Sequence, residues 1–501
     1  MDVRSKMQEA RSKISLVLLL LFVVMTAAAE DGIRQGSCRR GVLLPTTRTL
    51  RVQSTPRQAG GDFYRGDRRQ LVVLAAFPDQ PFQNDEATTL ARWDKIFNAV
   101  GYQEGSFVGS VHDYFYAQSY GQFNLTFDLI PVMLPDSARR YRSTDEDDEY
   151  SQFMVDDIVD ALQTQSLDWS QYDWNGDGYV NQLLIIYAGK GMNAGGGSNT
   201  IWPHQWWLSL HVDQTTPVLQ YRSYRTVTNG DHEFKIDCYC CVQEVVELSS
   251  TKTSFGTICH EYTHCFGFPD FYSSSNQTPR TWDLMDYGNY NAAGYCPPGY
   301  SAHERWLMGW VSPTELTAAT SVSQMPALCY EPHAYLIRND GYDNEYYVVE
   351  NRQQSGWDSY LPGSGLLVFH VDFDESIWTS IQVAPNDNTA KLRYHIFPAN
   401  NRSSYYSSSG WTYPYQANDS LTRYSQPVAK LNHANTDGTL LMDKSLLDIR
   451  VDGGLASFRF TRDPATAITP VKSTRQPEVL YHLGPVSIVR DSDGVVKKVV
   501  K

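Results

Sequence analysis

The sequence predicts an α/β domain followed by a β-rich region. Apolar runs typical of buried strands, at residues 70–77 and 182–188, alternate with helix-like segments in the first part of the chain. After about Val311 the pattern changes to a period of two, as at 345–350 and 365–371. Gly, Pro, Asn and Ser separate these later runs, which is typical of strands joined by turns.

The individual elements of the first region each have a local signal. Residues 108–120 carry apolar side chains at helical spacing, and residues 124–134 alternate like a strand. Residues 151–163 predict a second helix, with Ser151 as its start cap. We therefore expect helices and strands to alternate before residue 260.

The first 29 residues have the pattern of a secretory signal peptide. Basic residues precede an apolar run at 14–25, and Ala27, Ala28 and Ala29 then offer a cleavage site. The run is short for a membrane span, so a membrane anchor remains only as the alternative. We expect a secreted, extracellular protein with no membrane span after signal cleavage.

The remaining boundaries follow from changes in composition. Residues 30–65 are polar and weakly periodic, which indicates a pro-segment or a disordered leader. Residues 66–311 then form the predicted α/β domain, 312–462 the β-rich domain, and 463–501 a polar spacer and terminal tail. Cys38 in the leader is expected to form an ordinary disulfide or to have no role, with a thiolate that caps a metal in a latent form as the alternative hypothesis.

Charge and cysteine content limit the partners and the compartment. The chain has 56 acidic and 42 basic residues, a net charge of −14, and no basic stripe, so we expect no nucleic-acid partner. Its eight cysteines fit an oxidising compartment without proving disulfides. Cys238, Cys240 and Cys241 lack the spacing of a structural zinc site, so bridges or buried thiols are expected there.

The segment from His260 to Asp270 predicts a zinc centre. On a helix, His260 and His264 leave the same face one turn apart, so both imidazoles can bind one metal. Glu261 is placed to take a proton from a zinc-bound water. Gly267 can end the helix, and Asp270 on the returning chain is the expected third ligand. Two packed core histidines are the alternative interpretation.

Residues after the helix complete a recognisable pattern. The motif His-Glu-x-x-His-x-x-Gly-x-x-Asp followed by a methionine turn at Met285 resembles the metzincin clan of metalloproteases. The resemblance implies that Met285 forms an apolar floor under the ligands and that Tyr287 approaches the metal or a developing oxyanion. The clan usually has a third His where this chain has Asp270, and a downstream Glu304 remains an alternative ligand.

Further blocks resemble one family within this pattern. They look like blocks of the immune inhibitor A family of secreted metallopeptidases, and the resemblance spans about residues 66–460. It implies a metzincin-like catalytic domain with a mixed twisted sheet, an active-site helix and a cleft between upper and lower halves. It also implies endopeptidase activity and bound calcium. The blocks lie at residues 115–123, 172–178, 201–204, 270–272 and 361–372.

One of these blocks predicts a calcium loop. Asp173, Asn175 and Asp177 offer oxygen ligands on alternate residues, and Asn181 could add another. The loop lacks the glutamate at the twelfth position of an EF-hand, and a turn rich in Asp and Asn without metal would have the same letters. His204 in the next block is a candidate cleft residue, with an ordinary surface or core histidine as the alternative.

Together these residues predict a secreted zinc-dependent endopeptidase acting on protein or peptide substrates. Zn²⁺ would be catalytic, with Glu261 activating the zinc-bound water, and Ca²⁺ would be structural. Two other classes remain as alternatives. One is a secreted adhesin or glycan-binding protein with a retained but non-proteolytic zinc site, and the other is a hydrolase of non-peptide bonds.

Overall fold

The computed structural model describes residues 63–142, 150–196, 200–213, 220–246, 252–274, 277–462, 478–483, 486–490 and 496–500. The predicted signal peptide, nearly all of the predicted leader with Cys38, and most of the tail lie outside the described residues. Contacts divide the chain into one unit up to Thr461 and a second from Arg462. The predicted domain boundary between residues 311 and 312 stays a prediction.

Six α-helices occur among the described residues. Within those same ranges, no helix is both long enough and apolar enough to cross a bilayer. In chain order the helices are α1 Glu86–Asn98, α2 Val111–Gln118, α3 Ser151–Gln163, α4 Gly256–Cys265, α5 Ala302–Leu307 and α6 Glu375–Trp378.

The described residues form strands as well as helices, so the fold is mixed α/β as predicted. In chain order they are β1 Gly66–Ala76, β2 Phe123–Met133, β3 Tyr179–Val180, β4 Leu183–Lys190, β5 His204–Trp207, β6 Val212–Asp213, β7 Gln220–Tyr221, β8 Arg225–Asn229, β9 His232–Ile236, β10 Cys238–Val245, β11 Thr314–Glu315, β12 Thr320–Met325, β13 Tyr335–Arg338, β14 Glu345–Arg352, β15 Gly365–Asp372, β16 Tyr394–Ile396, β17 Lys444–Asp452, β18 Leu455–Arg462, β19 Glu478–Leu483, β20 Val486–Arg490 and β21 Val496–Val500.

A five-stranded sheet supports the segment that carries the metal motif. Its order is β2-β1-β4-β10-β5, with parallel pairing throughout except for the antiparallel edge strand β5. Strands β4 and β10 lie in the interior of the sheet, and their side chains are buried on both of its faces. This explains their apolar sequences. Helix α4 packs against β10 and β5. The sheet therefore places the helix beside an open edge strand.

Two further sheets lie in the chain after Val311. One has the order β11-β13-β14-β15-β16 and the other the order β12-β18-β17. Strands β14 and β15 are buried along their whole lengths, and the buried residues of β14 include the charged Glu345, Glu350 and Arg352. Strands β19, β20 and β21 form a separate antiparallel sheet in the second unit. Whether β11–β18 constitute an independent domain stays a prediction.

The largest apolar core joins the metal-motif segment to these later strands. Phe271 and Met285 belong to the same buried cluster as Phe369 of β15 and Tyr394 of β16. Burial of such side chains stabilises a fold by about 25 cal/mol per Å² of apolar surface. The chain after residue 311 thus shares a core with the residues around the predicted metal site.

Helix α4 ends where the sequence indicates. Gly267 has φ of +92°, and its N–H donates to the carbonyl of His264 at 2.8 Å. This left-handed conformation is accessible to glycine at little cost and closes the last turn of the helix. The chain then reverses, which brings Asp270 back toward the histidines.

Replacing Gly256 with alanine should destabilise the start of α4. A Cβ there would lie 2.0 Å from the Asn289 carbonyl oxygen, so the helix and the 3-10 helix Tyr287–Gly294 must separate. We expect a loss of about 3 kcal/mol in the free energy of unfolding, measured by urea titration. Gly230→Ala, whose Cβ meets open space at a φ of +56°, should cost only about 1 kcal/mol. Equal losses in the two variants would refute the steric explanation.

Candidate metal centre

Two imidazoles meet on one face of α4. The rings of His260 and His264 lie 4.8 Å apart between centroids and are nearly perpendicular, at 88°. Both side chains are largely buried, and the helix holds them one turn apart. The predicted spacing therefore produces the predicted juxtaposition.

Asp270 returns to the same point. Its Oδ1 lies 3.2 Å from Nε2 of His260 and 3.3 Å from Nε2 of His264. Among the described residues this buried oxygen has no hydrogen-bond partner. A buried carboxylate oxygen normally has one, because leaving it without a partner is costly. The orphaned oxygen between two ring nitrogens fits a metal ligand.

The opposite nitrogen of each ring fixes its tautomer. Nδ1 of His260 lies 2.8 Å from the carbonyl oxygen of Leu284, and Nδ1 of His264 lies 2.7 Å from that of Phe268. A carbonyl oxygen can only accept, so each Nδ1 carries a proton, and in the neutral imidazole the lone pair is then on Nε2. Backbone carbonyls orient metal-binding histidines in this way.

The donor set matches zinc. Two imidazole nitrogens and one carboxylate oxygen are the ligands that catalytic zinc sites use, with a fourth position open to solvent or substrate. Burial acts to raise the pKa of Asp270, but the two adjacent rings, when protonated, lower it well below its usual range. The carboxylate is therefore anionic, as a ligand must be.

Glu261 stands beside this set. Its carboxylate and one ring nitrogen from each of His260 and His264 lie within 4.8 Å of one another. Burial raises the pKa of Glu261, although the two histidines oppose that shift. A carboxylate with a raised pKa is a better acceptor for a proton from water near neutral pH.

The turn that contains Met285 is bound to the ligand-bearing segments. Met285 is fully buried, and its carbonyl oxygen accepts from the N–H of Phe271 at 2.8 Å. The preceding carbonyl, of Leu284, accepts from His260. The Asp283 carboxylate accepts from the N–H of Met285 at 2.8 Å and so closes the turn. This turn contacts both the helix and the strand-like segment after Asp270.

Tyr287 lies just after this turn and is partly buried. The Arg280 guanidinium stands 5.1 Å from the centre of its ring, and the Tyr272 ring lies 6.4 Å away. Burial raises the pKa of Tyr287, and the neighbouring Asp286 adds to that shift, so the hydroxyl keeps its proton. It is available as a hydrogen-bond donor.

His204 begins the edge strand β5 and is 6% exposed. Its Nδ1 lies 2.7 Å from the Trp202 carbonyl oxygen, and its Nε2 lies 3.0 Å from the Tyr239 hydroxyl. Its predicted place in the cleft stays a prediction.

An open depression lies beside the metal centre. Three tryptophans, together with Phe268, Pro269 and Ile381, give it an apolar wall. Its lining includes Gln205, Trp206 and Trp207 of β5, His264 and Asp270 of the centre, and Trp378, Thr379 and Ser380 at the end of α6. A peptide side chain that enters here would meet aromatic surface next to the metal ligands.

In the predicted calcium loop, side-chain oxygens accept hydrogen bonds from backbone N–H groups and from a side-chain amide. Asp173 accepts from the N–H groups of Asp177 and Gly178, at 3.1 and 2.8 Å. Asn181 accepts from the N–H of Trp174 at 2.6 Å, and the Asn175 amide donates to Asp177. This is the hydrogen bonding of a turn rich in Asp and Asn.

The other candidates are placed as follows. Glu304 lies in the first turn of α5, where its carboxylate accepts from the N–H and hydroxyl of Ser301 at 2.7 and 2.9 Å. Cys238, Cys240 and Cys241 are buried on β10. Cys259 and Cys265 are free cysteines and do not bridge each other, as their positions on one helix predict.

Sequence reasoning missed two buried residues near the centre, Asn386 and Tyr394. Asn386 donates to the carbonyl oxygen of Phe271 at 2.7 Å, and the Tyr394 ring lies 4.1 Å from the Phe271 ring. Neither residue belongs to a motif, and both lie more than 100 residues after Asp270. No local signal in the sequence could have indicated them.

Asp283 should make stability depend on pH. Burial, with a contribution from neighbouring Asp286, raises its pKa to about 7. An aspartate in an unfolded chain titrates near 4, so between about pH 4 and pH 7 the folded state binds the proton more tightly. Stability from this group is therefore present below pH 4 and declines as the pH rises to 7.

We expect Asp283→Asn to remove this decline. Relative to the variant, the original chain should lose roughly 2–4 kcal/mol of unfolding free energy between pH 4 and pH 7. Urea titrations of both proteins at several pH values measure the difference. Parallel stability profiles for the two proteins would show that Asp283 does not titrate as described.

The comparisons point to a class of protein that uses such a donor set, the metallopeptidases. Residues 65–308 match the family model described as the immune inhibitor A peptidase M6 catalytic domain. That segment is therefore similar to the catalytic domain of a family of peptidases.

A curated relative supports the same family. The chain is 25% identical over 289 residues to a protein from Bacillus thuringiensis subsp. alesti named immune inhibitor A. The alignment covers 48% of this chain and 40% of that protein. The chain thus spans less than half the length of the curated relative that it matches.

Proposed function

We propose that this protein is a secreted zinc-dependent endopeptidase that hydrolyses peptide bonds of extracellular proteins. One observation carries the proposal. The orphaned Oδ1 of Asp270 lies between the Nε2 atoms of His260 and His264, which bear the lone pairs in the neutral imidazoles, and Glu261 lies next to them. The similarity of residues 65–308 to a peptidase family supports the reaction class. Secretion rests on the signal-peptide pattern of residues 1–29.

The proposed ligands are His260, His264 and Asp270. Zinc bound there supplies a Lewis acid that polarises the scissile carbonyl and lowers the pKa of a water molecule. Leu284 and Phe268 hold the two rings through their carbonyl oxygens, which keeps the lone pairs directed at one point.

Glu261 is the proposed general base. It accepts a proton from the attacking water and returns it to the departing amine, so one carboxylate serves both halves of the reaction. The raised pKa of Glu261 suits both transfers. Tyr287, which keeps its proton, is proposed to donate a hydrogen bond to the developing oxyanion. Met285 is proposed to supply an apolar floor below the ligands.

The same resemblance supports two structural proposals. A mixed sheet with an antiparallel edge strand, a helix packed on it and a methionine turn behind it agree with a metzincin-like catalytic domain. Asp173, Asn175, Asp177 and Asn181 are proposed to bind a structural calcium ion. Positive φ at Gly176 and Gly178 gives their loop the sharp curvature that a cation site needs.

Metal analysis combined with peptide digestion tests the function. We expect the purified protein to cleave peptides in a broad library, to lose that activity with a chelator, and to regain it with added Zn²⁺. Zinc binding without cleavage of any peptide would instead support an adhesin or a hydrolase of other bonds. Cleavage that is insensitive to chelator would refute a metal-dependent mechanism.

A further inference from the structure

The backbone of Phe271 is a junction between the metal centre and the rest of the chain. It follows Asp270 directly, so its position determines where that carboxylate lies. Its N–H donates to the Met285 carbonyl oxygen at 2.8 Å. Its own carbonyl oxygen accepts from the Asn386 side-chain amide at 2.7 Å. Both backbone groups of Phe271 are therefore bound by residues distant in the sequence.

Asn386 uses all of its hydrogen-bonding capacity at this junction. Besides Phe271, its amide donates to the Tyr394 carbonyl oxygen at 2.6 Å. Its side-chain oxygen accepts from the N–H groups of Arg393 and Tyr394, at 3.1 and 3.0 Å. The residue is completely buried, so loss of its amide would leave the Phe271 carbonyl without a partner. It connects the segment after Asp270 to strand β16.

Tyr394 provides a second connection from the same strand. Its ring packs against that of Phe271, with centroids 4.1 Å apart and the ring planes tilted by 34°. Its hydroxyl lies 3.0 Å from Oδ2 of Asp283, whose Oδ1 holds the Met285 turn, and 2.7 Å from the Ser301 hydroxyl. Tyr394 thus contacts both segments that surround the histidines, and it too is completely buried.

We propose that Asn386 and Tyr394 are positioning residues for the metal centre, so that the chain beyond the matched peptidase segment completes the site. The proposal rests on His260, His264 and Asp270 being the zinc ligands. Asn386 fixes the backbone at Phe271 and hence the Asp270 carboxylate. Tyr394 fixes the Met285 turn through Asp283. Both residues lie outside residues 65–308, which the family model covers.

The physical reason is the precision that a tetrahedral site demands. Asp270 reaches the metal position from a loop, and a loop alone cannot hold a carboxylate to within a few tenths of an ångström. The histidines are instead fixed by helix α4. Partners that orient metal ligands typically contribute a factor of about 10–100 to metal affinity. We therefore expect zinc affinity to depend most on Asn386, because it binds the backbone of Phe271, the residue next to the ligand Asp270.

Zinc affinity of full-length variants tests the proposal. Asn386→Leu should weaken zinc binding by about 10–100-fold, and Tyr394→Phe by about tenfold, as measured by chelator competition at equilibrium. The removed groups contact neither the metal nor a substrate. The loss in affinity should therefore come with a fall in kcat, while KM changes little.

Matched controls come from strand β14. Asn351 is equally buried and donates to two backbone carbonyls, of Met325 and Gly454. The Tyr347 hydroxyl donates to the Lys430 carbonyl oxygen. Asn351→Leu and Tyr347→Phe should lose thermal stability comparable to the test variants but keep zinc affinity within about twofold.

The outcomes are distinguishable. Unchanged zinc affinity in folded Asn386→Leu and Tyr394→Phe would overturn the proposal, and so would an equal loss in the β14 controls. If Asn386→Leu does not fold, Tyr394→Phe decides the question. If the original chain itself binds no zinc, the proposed function fails before the positioning residues are tested.

Discussion

Replacing Glu261 with glutamine should reduce peptide hydrolysis by about 10²–10⁴-fold while zinc remains bound. Glutamine has nearly the same shape but cannot accept the proton from the attacking water. The imidazoles and the Asp270 carboxylate are unchanged, so metal affinity should stay within a few-fold of the original. Single-turnover cleavage of a fluorogenic peptide measures the rate, and metal analysis of the same sample measures occupancy.

Glu244→Gln is the matched control for this experiment. Glu244 is a buried glutamate on the neighbouring strand β10, where it accepts from the N–H groups of Gln83 and Gly189 at 3.0 Å. Burial raises its pKa as it does for Glu261. The control should keep turnover within about threefold. Full activity in Glu261→Gln would remove Glu261 from the proton-transfer role.

Replacing Asp270 with alanine should weaken zinc binding by more than about 100-fold. The change removes one of three ligands, a larger effect than loss of a residue that only orients a ligand. Activity at limiting zinc should fall in parallel, and high zinc concentrations should restore part of it. Chelator competition measures the affinity, and circular dichroism checks that the fold is retained.

Glu304→Gln separates the two candidates for the third ligand. Burial and the nearby Asp283 carboxylate raise the pKa of Glu304 well above its usual range, and glutamine has nearly the same shape as the glutamate it replaces. We expect zinc affinity within about twofold of the original. The reverse result, strong loss in Glu304→Gln and little in Asp270→Ala, would identify Glu304 as the ligand.

The parts of the fold that the sequence predicts depend on short-range periodicity. The apolar runs predict strands β1 and β4, and the spacing of His260 and His264 predicts one face of α4. Gly267 predicts the helix end through its backbone freedom. These features are local, so a single sequence is enough to indicate them.

Features that depend on distant contacts are not predictable in this way. Asn386 and Tyr394 approach Phe271 only because β16 packs beside the segment after Asp270. The predicted start cap at Ser151 is wrong by one residue: Tyr150 occupies the cap without a side-chain hydrogen bond, and Ser151 begins α3 facing Tyr239. The sequence alone does not show whether a hydroxyl near a helix start caps the helix or hydrogen-bonds to a buried side chain.

Anomalous X-ray diffraction at the zinc edge, from crystals of the purified protein, would test the central assignment most directly. The account predicts one strong peak about 2.0–2.2 Å from Nε2 of His260, Nε2 of His264 and a carboxylate oxygen of Asp270. A peak elsewhere, or a zinc ion bound by the histidines with Asp270 turned away from it, would contradict the account.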